Sequence, residues 1–452
     1  MKAVIMAGGK GTRIASVRSD IPKPMIPVCG KPVLAWQVEN LKACGLMDIT
    51  LVTGHLGQVV KDYFGDGSRF GVRISYFEET QPLGTAGALF RMPDLTEDFL
   101  LLCGDVMLDM DFGRFIAFHR AHHAWASLAV HPNGHPYDSA LIATEIVPPQ
   151  EKGGNPVDTH RVVRWLNKED GRRYEKNRVN AGVEIISPEL LRATMAHYVP
   201  RHPETPDKID LDRDVLKPHI GSGRIFAYDT PEYIKDMGTP DRLCEVETDI
   251  RTGKVQARNL RNLQKAVFLD RDGAVNRHVG FLTQPGELEL IPGAAEAIRA
   301  INRSGYLTVI VTNQPVIARG DCSFEELQAI HDKLKTELGK AGAFVDAIYF
   351  CPHHPDKGFA GERPDYKGPC TCRKPAPGLL LQAARDLHID LGRSVMIGDG
   401  EADVEAGKRA GCRQSVRIES NADNALRDYV FSLLGKNIQD SEPPTADAVD
   451  PC

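Results

Sequence analysis

Ala266-Val267-Phe268-Leu269-Asp270-Arg271-Asp272-Gly273 is an apolar run that stops on two carboxylates two residues apart. An apolar run ending at Asp-x-Asp-Gly has the form of a buried parallel-sheet strand, which delivers its last residues into the crevice at the sheet's carboxyl edge. Taken alone, the same four letters are also an ordinary surface turn, since Asp and Gly are turn residues. The later part of the chain decides between the two. Leu307-Thr308-Val309-Ile310-Val311-Thr312-Asn313-Gln314 is a second buried strand, bringing a hydroxyl and two amides to the same edge. Ser394-Val395-Met396-Ile397-Gly398-Asp399 is a third, with Asp403 four residues on, and Arg373-Lys374-Pro375 sets two cations on a proline-stiffened turn between them. Together these are the parts of a phosphoryl-transfer site: a nucleophile (Asp270), a proton shuttle (Asp272), and Thr312 and Lys374 for the phosphoryl oxygens. Asp399 would join Asp270 on Mg²⁺, which screens carboxylate from phosphate.

Around that stretch, 452 residues are too many for one ordinary core and suggest two or three domains. A hydrophobic fraction of 42% and a charged fraction of 26% are those of a soluble globular chain. The net charge of -6 gives no electrostatic case for nucleic acid or anionic lipid as partners. No apolar run reaches bilayer-spanning length, and Met1-Lys2-Ala3-Val4 leads straight into a strand, so the expectation is a cytoplasmic enzyme with no membrane partner. Of the ten cysteines, Cys351, Cys370 and Cys372 form a knot, which in a reducing compartment suggests metal rather than disulfide.

The first half opens with a short strand, Lys2-Ala3-Val4-Ile5-Met6-Ala7, that breaks into Gly8-Gly9-Lys10-Gly11-Thr12-Arg13. A glycine-rich turn after a strand lets backbone N–H groups approach phosphate, with Arg13 supplying charge; a plain tight turn is the alternative. Lys23 adds a cation on the Ile21-Pro22-Lys23-Pro24 turn. Residues 32–41 read as an amphipathic helix and 49–53 as the next strand, so the alternation predicts an α/β layer on a parallel sheet. Pro82-Leu83-Gly84-Thr85-Ala86-Gly87-Ala88 is expected to open a helix whose small residues admit a base or sugar. The strand 99–103 ends in Gly104-Asp105, the natural place for a divalent-metal ligand, with Asp236 as its candidate partner.

In this order, Gly8-Gly9-Lys10-Gly11-Thr12-Arg13, Pro22-Lys23-Pro24, Leu83-Gly84-Thr85-Ala86-Gly87, Gly104-Asp105, Asn180-Ala181-Gly182 and Asp236-Met237-Gly238-Thr239 resemble the sugar-1-phosphate nucleotidyltransferases over nearly all of residues 1 to 243. The resemblance implies a Rossmann-like, GT-A-like fold in which a sugar 1-phosphate attacks the α-phosphorus of a nucleoside triphosphate and releases pyrophosphate. It also implies that Gly8, Gly11 and Arg13 cradle the triphosphate, Lys23 neutralises the α-phosphate and Asp105 and Asp236 hold Mg²⁺. Gly87 would lie against the base, and Lys168 and Asn180 would face the sugar phosphate. Asn167-Lys168 stands where the family usually has Glu-Lys. The polar stretch of about 144 to 179 reads as an excursion over the sugar pocket.

The second half, from about 263 to 417, resembles the haloacid-dehalogenase phosphatases through Asp-x-Asp-Gly, Thr-Asn-Gln, Arg-Lys-Pro and Gly-Asp-x-x-x-Asp. Cys351-x-His353 followed by Cys370-x-Cys372 is similar to the zinc loop of the heptose bisphosphate and histidinol-phosphate phosphatase group within it. That resemblance implies a structural Zn²⁺ on Cys351, His353, Cys370 and Cys372, Mg²⁺ on Asp270, Asp272 and Asp399, substrate contacts from Asn313 and Gln314, and a remote substrate contact from Arg373. Residues 248–264 lack sustained apolar periodicity, so the expected division is a transferase domain at 1–245, a linker at 246–262, a phosphatase domain at 263–435 and a disordered tail at 436–452.

Joined in one chain, the two resemblances imply two consecutive steps of nucleotide-activated heptose synthesis that feed a surface polysaccharide such as lipopolysaccharide. The 7-phosphate would leave D-glycero-D-manno-heptose 1,7-bisphosphate, and a nucleotidyl group, GMP by the resemblance, would then be added to the heptose 1-phosphate. The competing expectations are a histidinol-phosphate-type phosphatase, and a phosphatase regulated by a catalytically idle, nucleotide-sugar-sensing first half.

Overall fold

The computed structural model describes residues 1–8, 20–201 and 204–435. Gly11 and Arg13, both expected at a triphosphate, and the expected tail 436–452 lie outside these residues. Besides a two-residue antiparallel pair at Pro27–Val28 and Lys31–Pro32, the strands of the first half are β1 (Lys2–Met6), β2 (Asp48–Thr53), β3 (Arg73–Glu78), β4 (Phe99–Cys103), β5 (Val106–Asp109), β6 (Ala126–His131), β7 (Leu141–Val147), β8 (Val157–Leu166), β9 (Val179–Ile186), β10 (Ile225–Asp229) and β11 (Tyr233–Asp236). Nine of them form one sheet in the order β3-β2-β1-β4-β9-β6-β10-β8-β7, while β5 and β11 pair in a separate antiparallel ribbon. On β1, Ala3 and Ile5 enter one core and Val4 the other, so both faces of the sheet are covered. Helix α1 (Val33–Ala43) begins just after Pro32 and buries Leu34, Val38 and Leu41, as its spacing predicts.

Two expectations for this half are corrected. The sheet is mixed rather than parallel, because β9 runs antiparallel to β4 and β6, and β7 and β8 form a hairpin. The helix expected from 82 to 88 is a short 3₁₀ turn at Gly87–Arg91. Its approach is diverted by backbone pairing with another part of the chain: Ala86 N donates to Ile209 O and Ile209 N to Leu83 O, each at 3.0 Å.

The stretch expected as a linker is instead packed. Helix α2 (Pro240–Arg251) is capped by Thr239 and buries Val246, and α3 (Lys254–Ala257) buries Val255. Its apolar periodicity is faint because much of what it buries is polar and paired. Arg258 meets Asp346 at 2.8 Å, and Asn259 Nδ2 donates to Asp109 at 2.6 Å.

The second sheet is all parallel, in the order β14-β13-β12-β15-β16, from β12 (Lys265–Leu269), β13 (Tyr306–Asn313), β14 (Ala347–Cys351), β15 (Val395–Gly398) and β16 (Gln414–Arg417). Alternate residues of β12 enter opposite cores, Val267 and Leu269 on one side and Ala266 and Phe268 on the other. A strand buried on both faces must be apolar throughout, which is why this one reads as an unbroken run. Helix α4 (Ala294–Arg303), α5 (Phe324–Lys340) and α6 (Glu401–Ala410) cover the sheet.

Candidate active sites and a four-donor cluster

At the carboxyl edge of the second sheet, β12 ends at Leu269 and runs into Asp270, β13 carries Thr312 and Asn313, and β15 runs into Asp399. These three central strands are adjacent, so side chains far apart in the chain converge. Lys374, 4% exposed, sets its Nζ 2.7 Å from Asp270, 2.5 Å from Asp403 and 2.8 Å from the carbonyl of Val311. Burial would by itself pull this ammonium down, but Asp270 and Asp403 outweigh it and hold it above the usual lysine range. Asp270 is pushed up to about 7 by burial, against Lys374 and with the repulsion of Asp403.

Asp270, Asp399 and Asp403 offer carboxylate oxygens within 4.8 Å of one another, a donor set suited to a hard divalent cation such as Mg²⁺. Asp272, expected in that set, lies outside it. Its two oxygens accept from Arg271 at 2.8–3.1 Å, from Asn276 at 2.9 Å and from Gln314 at 2.9 Å. Burial would raise the Asp272 carboxyl, yet Arg271 and these amides hold it below the ordinary carboxylate range. Asn313 and Gln314, expected on substrate, spend their amides on the protein. Asn313 clamps the backbone of Lys374 through bonds of 3.0 and 3.1 Å, and Gln314 bridges Asp272 and the Thr312 hydroxyl at 2.9 Å each. Sequence reasoning missed Asp403 as a member of the carboxylate group and Arg271 as the clamp on Asp272. The first was legible in the Gly-Asp-x-x-x-Asp spacing. The second was not, because a charged residue between two aspartates gives no sign that it is fully buried.

Beside this edge, Cys351, His353, Cys370 and Cys372 form a second cluster. Their sulfur–sulfur separations are 3.1, 3.5 and 3.6 Å, and His353 Nδ1 stands 3.4 and 3.5 Å from two of the sulfurs. Sulfurs about 2.3 Å from a tetrahedral Zn²⁺ would be about 3.8 Å apart, so three thiols and an imidazole at these distances fit that ion. It is His353, and not His354, that joins the sulfurs.

In the first half, β5 and β11 bring the two expected metal ligands together: Asp236 pairs in register with Val106, and Met237 N donates to Asp105 O at 2.9 Å. Each carboxylate also has its own cation, Lys23 on Asp105 at 2.5 Å and Arg242 on Asp236 at 2.5 Å. Burial opposes the Asp236 charge, and Arg242, which sequence reasoning missed, keeps its carboxyl low. Gly8 lies beside Gly54 and Glu79. The missing side chain of Gly87, assigned to a base, is accounted for by the chain itself, since a Cβ there would stand 2.3 Å from Asp207 O. Lys168 is largely exposed, 4.0 Å from Glu169, while Asn180 is half-buried in β9 with its Oδ1 unpartnered. Asn167, which stands in place of the family's glutamate, accepts from Lys217 Nζ at 2.6 Å.

A family model described as nucleotidyl transferase matches residues 2–253, and one described as haloacid dehalogenase-like hydrolase matches 194–411. Where they overlap, β10 pairs with β6 of the first sheet, so that segment belongs with the first match. The chain is 43% identical over 150 residues to a D-glycero-D-manno-heptose-1,7-bisphosphate 7-phosphatase of Thermosynechococcus vestitus, covering 32% of this chain and 75% of that protein. It is 40% identical over 159 residues to a D-glycero-beta-D-manno-heptose-1,7-bisphosphate 7-phosphatase of Pasteurella multocida, covering 35% and 83%. Among solved structures, HddC from Yersinia pseudotuberculosis complexed with GMP-PN is 24% identical, with a TM-score of 0.43, covering 55% of this chain and 99% of that one. Among the described residues, no helix is long and apolar enough to cross a membrane.

Proposed function

The chain belongs to the nucleotidyl transferase family through its first half and to the heptose-1,7-bisphosphate 7-phosphatases through its second, and from that premise we propose that it carries out two consecutive steps of nucleotide-activated heptose synthesis. The second half hydrolyses the 7-phosphate of D-glycero-D-manno-heptose 1,7-bisphosphate, and the first half joins the resulting heptose 1-phosphate to a nucleotide. The observation that carries the reading is the buried triad of Asp270, Lys374 and Asp403 at the sheet edge, with Asp272 separately held beside it.

In the phosphatase half, Asp270 attacks phosphorus to give an aspartyl-phosphate, and Asp272, charged in the resting site, passes to the departing sugar oxygen a proton that the phosphate monoester brings in as its monoanion. Asp272 then takes a proton from the water that hydrolyses the intermediate. Arg271 and Gln314 keep it aimed at that position, and Asn313 fixes the backbone of Lys374, whose ammonium offsets charge on Asp270 and on the phosphoryl group. Mg²⁺ would be held by Asp270, Asp399 and Asp403 and would supply positive charge against the phosphoryl oxygens. Zn²⁺ on the four-donor cluster would be structural, since all four positions of a tetrahedron are taken by protein. Arg373, next to that cluster, contacts the remote end of the substrate.

In the transferase half, both reacting groups are anionic, so most of the catalysis is neutralisation and alignment. Asp105 and Asp236 would hold Mg²⁺, with Lys23 turning from Asp105 to the α-phosphate when nucleotide enters. Lys168 and Asn180 contact the sugar phosphate, guanine is the base, and both steps take place in the cytoplasm. Incubating the full chain with the bisphosphate, Mg²⁺ and each of the four nucleoside triphosphates tests the whole reading. The expected products are one phosphate per sugar, then pyrophosphate and a nucleotide-heptose, with GTP preferred. Phosphate with no nucleotide-sugar under any of the four would confine the function to the second half.

A further inference from the structure

We propose that the tip of the β7–β8 hairpin, residues 148–156 of the first half, is the seat on which the second half's four-donor metal loop rests, and that it thereby positions Arg373. The proposal rests on the zinc reading of that loop. The tip, Pro148-Pro149-Gln150-Glu151-Lys152-Gly153-Gly154-Asn155-Pro156, carries no large apolar side chain outside its prolines, so burial alone does not explain its place. It meets the loop through specific polar contacts. The Tyr366 hydroxyl donates to Gly154 O at 3.0 Å, and Asn155 Nδ2 donates to the carbonyl of Phe350, one residue before Cys351, at 3.1 Å. Gly153 comes closer still: a Cβ built on it would stand 2.8 Å from Asp365 O and 3.4 Å from His353 Nε2. Its φ of +74° also favours glycine, so conformation and space make the same demand.

The side of the imidazole that faces the tip is the informative detail. His353 turns Nδ1 toward the sulfurs, so Nε2 is the free edge of the ring, and that edge looks onto Gly153. A side chain at Gly153 would crowd that nitrogen, so the residue packed against the outer edge of the ring comes from the other half of the chain. Tyr366, buried with its ring 5.8 Å from that of His353, ties the same two parts together. From the cluster the contact passes directly to the phosphatase site. Arg373 N donates to Cys370 Sγ at 3.4 Å, Arg373 Nη1 donates to His353 O at 3.1 Å, and the next residue is Lys374. Moving the tip therefore moves the ring, and moving the ring moves Arg373 while Asp270 and Asp272, fixed on β12 and by Arg271, stay in place. Gly153, Asn155 and Tyr366 are positioning residues, none of them in contact with the reacting atoms.

The test uses the full chain carrying Asn155→Ala and Tyr366→Phe together, with Tyr366→Phe alone, which removes one oxygen, as the variant least able to disturb folding. Three quantities are measured: zinc content, the rate of zinc release to excess chromogenic chelator, and steady-state constants on the sugar bisphosphate and on p-nitrophenyl phosphate, which has no remote group. The double variant should release zinc about tenfold faster than the parent and the single variant about threefold faster. The KM for the bisphosphate should rise with kcat held to about twofold, and p-nitrophenyl phosphate hydrolysis should not change. A parent holding one zinc, with release and KM unaltered in the double variant, overturns the seat alone. A parent that binds less than one zinc overturns the zinc reading and the seat with it.

Discussion

Replacing Asp346 with Ala should lower the temperature at which the first half's tryptophans unfold, although Asp346 belongs to the second half. Trp36, Trp125 and Trp165 are the chain's three tryptophans, so their fluorescence reports the first half by itself. Arg258, at the end of the helical connection, places Nη1 2.8 Å from Asp346 Oδ1, with the two side chains 4% and 1% exposed. The Asp346 Oδ2 accepts from Thr308 N at 2.7 Å, and the guanidinium keeps only the carbonyls of Pro231 at 3.3 Å and Tyr306 at 3.0 Å once the carboxylate is gone. Stranding one member of a buried ion pair costs about 3–5 kcal/mol. At about 2–4 °C per kcal/mol for domains of this size, the tryptophan midpoint should fall by about 10 °C. Adding Arg258→Met should restore part of the loss, because it removes the uncompensated charge. A calorimetric transition that moves while the tryptophan midpoint stays within about 2 °C of the parent would refute the coupling of the two halves through this pair.

Three further outcomes concern single side chains. Burial, with repulsion from Asp212, raises Glu184 to about 8 from an ordinary 4.5, so its contribution to stability is complete below about 4.5 and lost as pH rises through 8. Glu184→Gln should therefore melt with the parent at pH 4 and above it at pH 9, by at most about 5 kcal/mol in stability. Arg271→Met removes the charge that holds Asp272 low, so the limb of the phosphatase pH profile belonging to Asp272 should move to higher pH, with kcat reduced about a hundredfold. Asp105→Asn should lower nucleotide-sugar formation about a hundredfold while phosphate release from the bisphosphate is unchanged, as a coupled pyrophosphate assay and a phosphate assay on the same sample will show.

The sequence was most legible where one rule governs a whole element. An unbroken apolar run means a strand covered on both faces, and β12, β13 and β15 each end within a residue or so of the expected position, carrying Asp270, Thr312 and Asp399 to one edge. That Cys351, His353, Cys370 and Cys372 come together was legible for a similar reason, since two closely spaced donor pairs form a pattern that can be read from the chain. Side-chain partnerships were not. Arg271 and Arg242 each hold an aspartate by contacts that depend on burial and rotamer, and no spacing encodes them. The linker was misread because buried polar pairs such as Arg258 and Asp346 leave no apolar period. The expected helix at 82–88 failed through pairing with Ile209, more than a hundred residues away, a tertiary override that local propensity cannot register. The 144–179 stretch, expected over a sugar pocket, sends its hairpin tip to Tyr366 and Phe350 of the other half.

In the proposed mechanism Asp270 is the group on which the phosphatase chemistry turns, because it would take the phosphoryl from the sugar. The most direct measurement is phosphate release by Asp270→Asn in the full chain, with an unchanged melting profile and with transferase turnover on heptose 1-phosphate followed in parallel. Loss of phosphate release to background beside parental nucleotide-sugar formation is the predicted result. Phosphate release at the parental rate would contradict it.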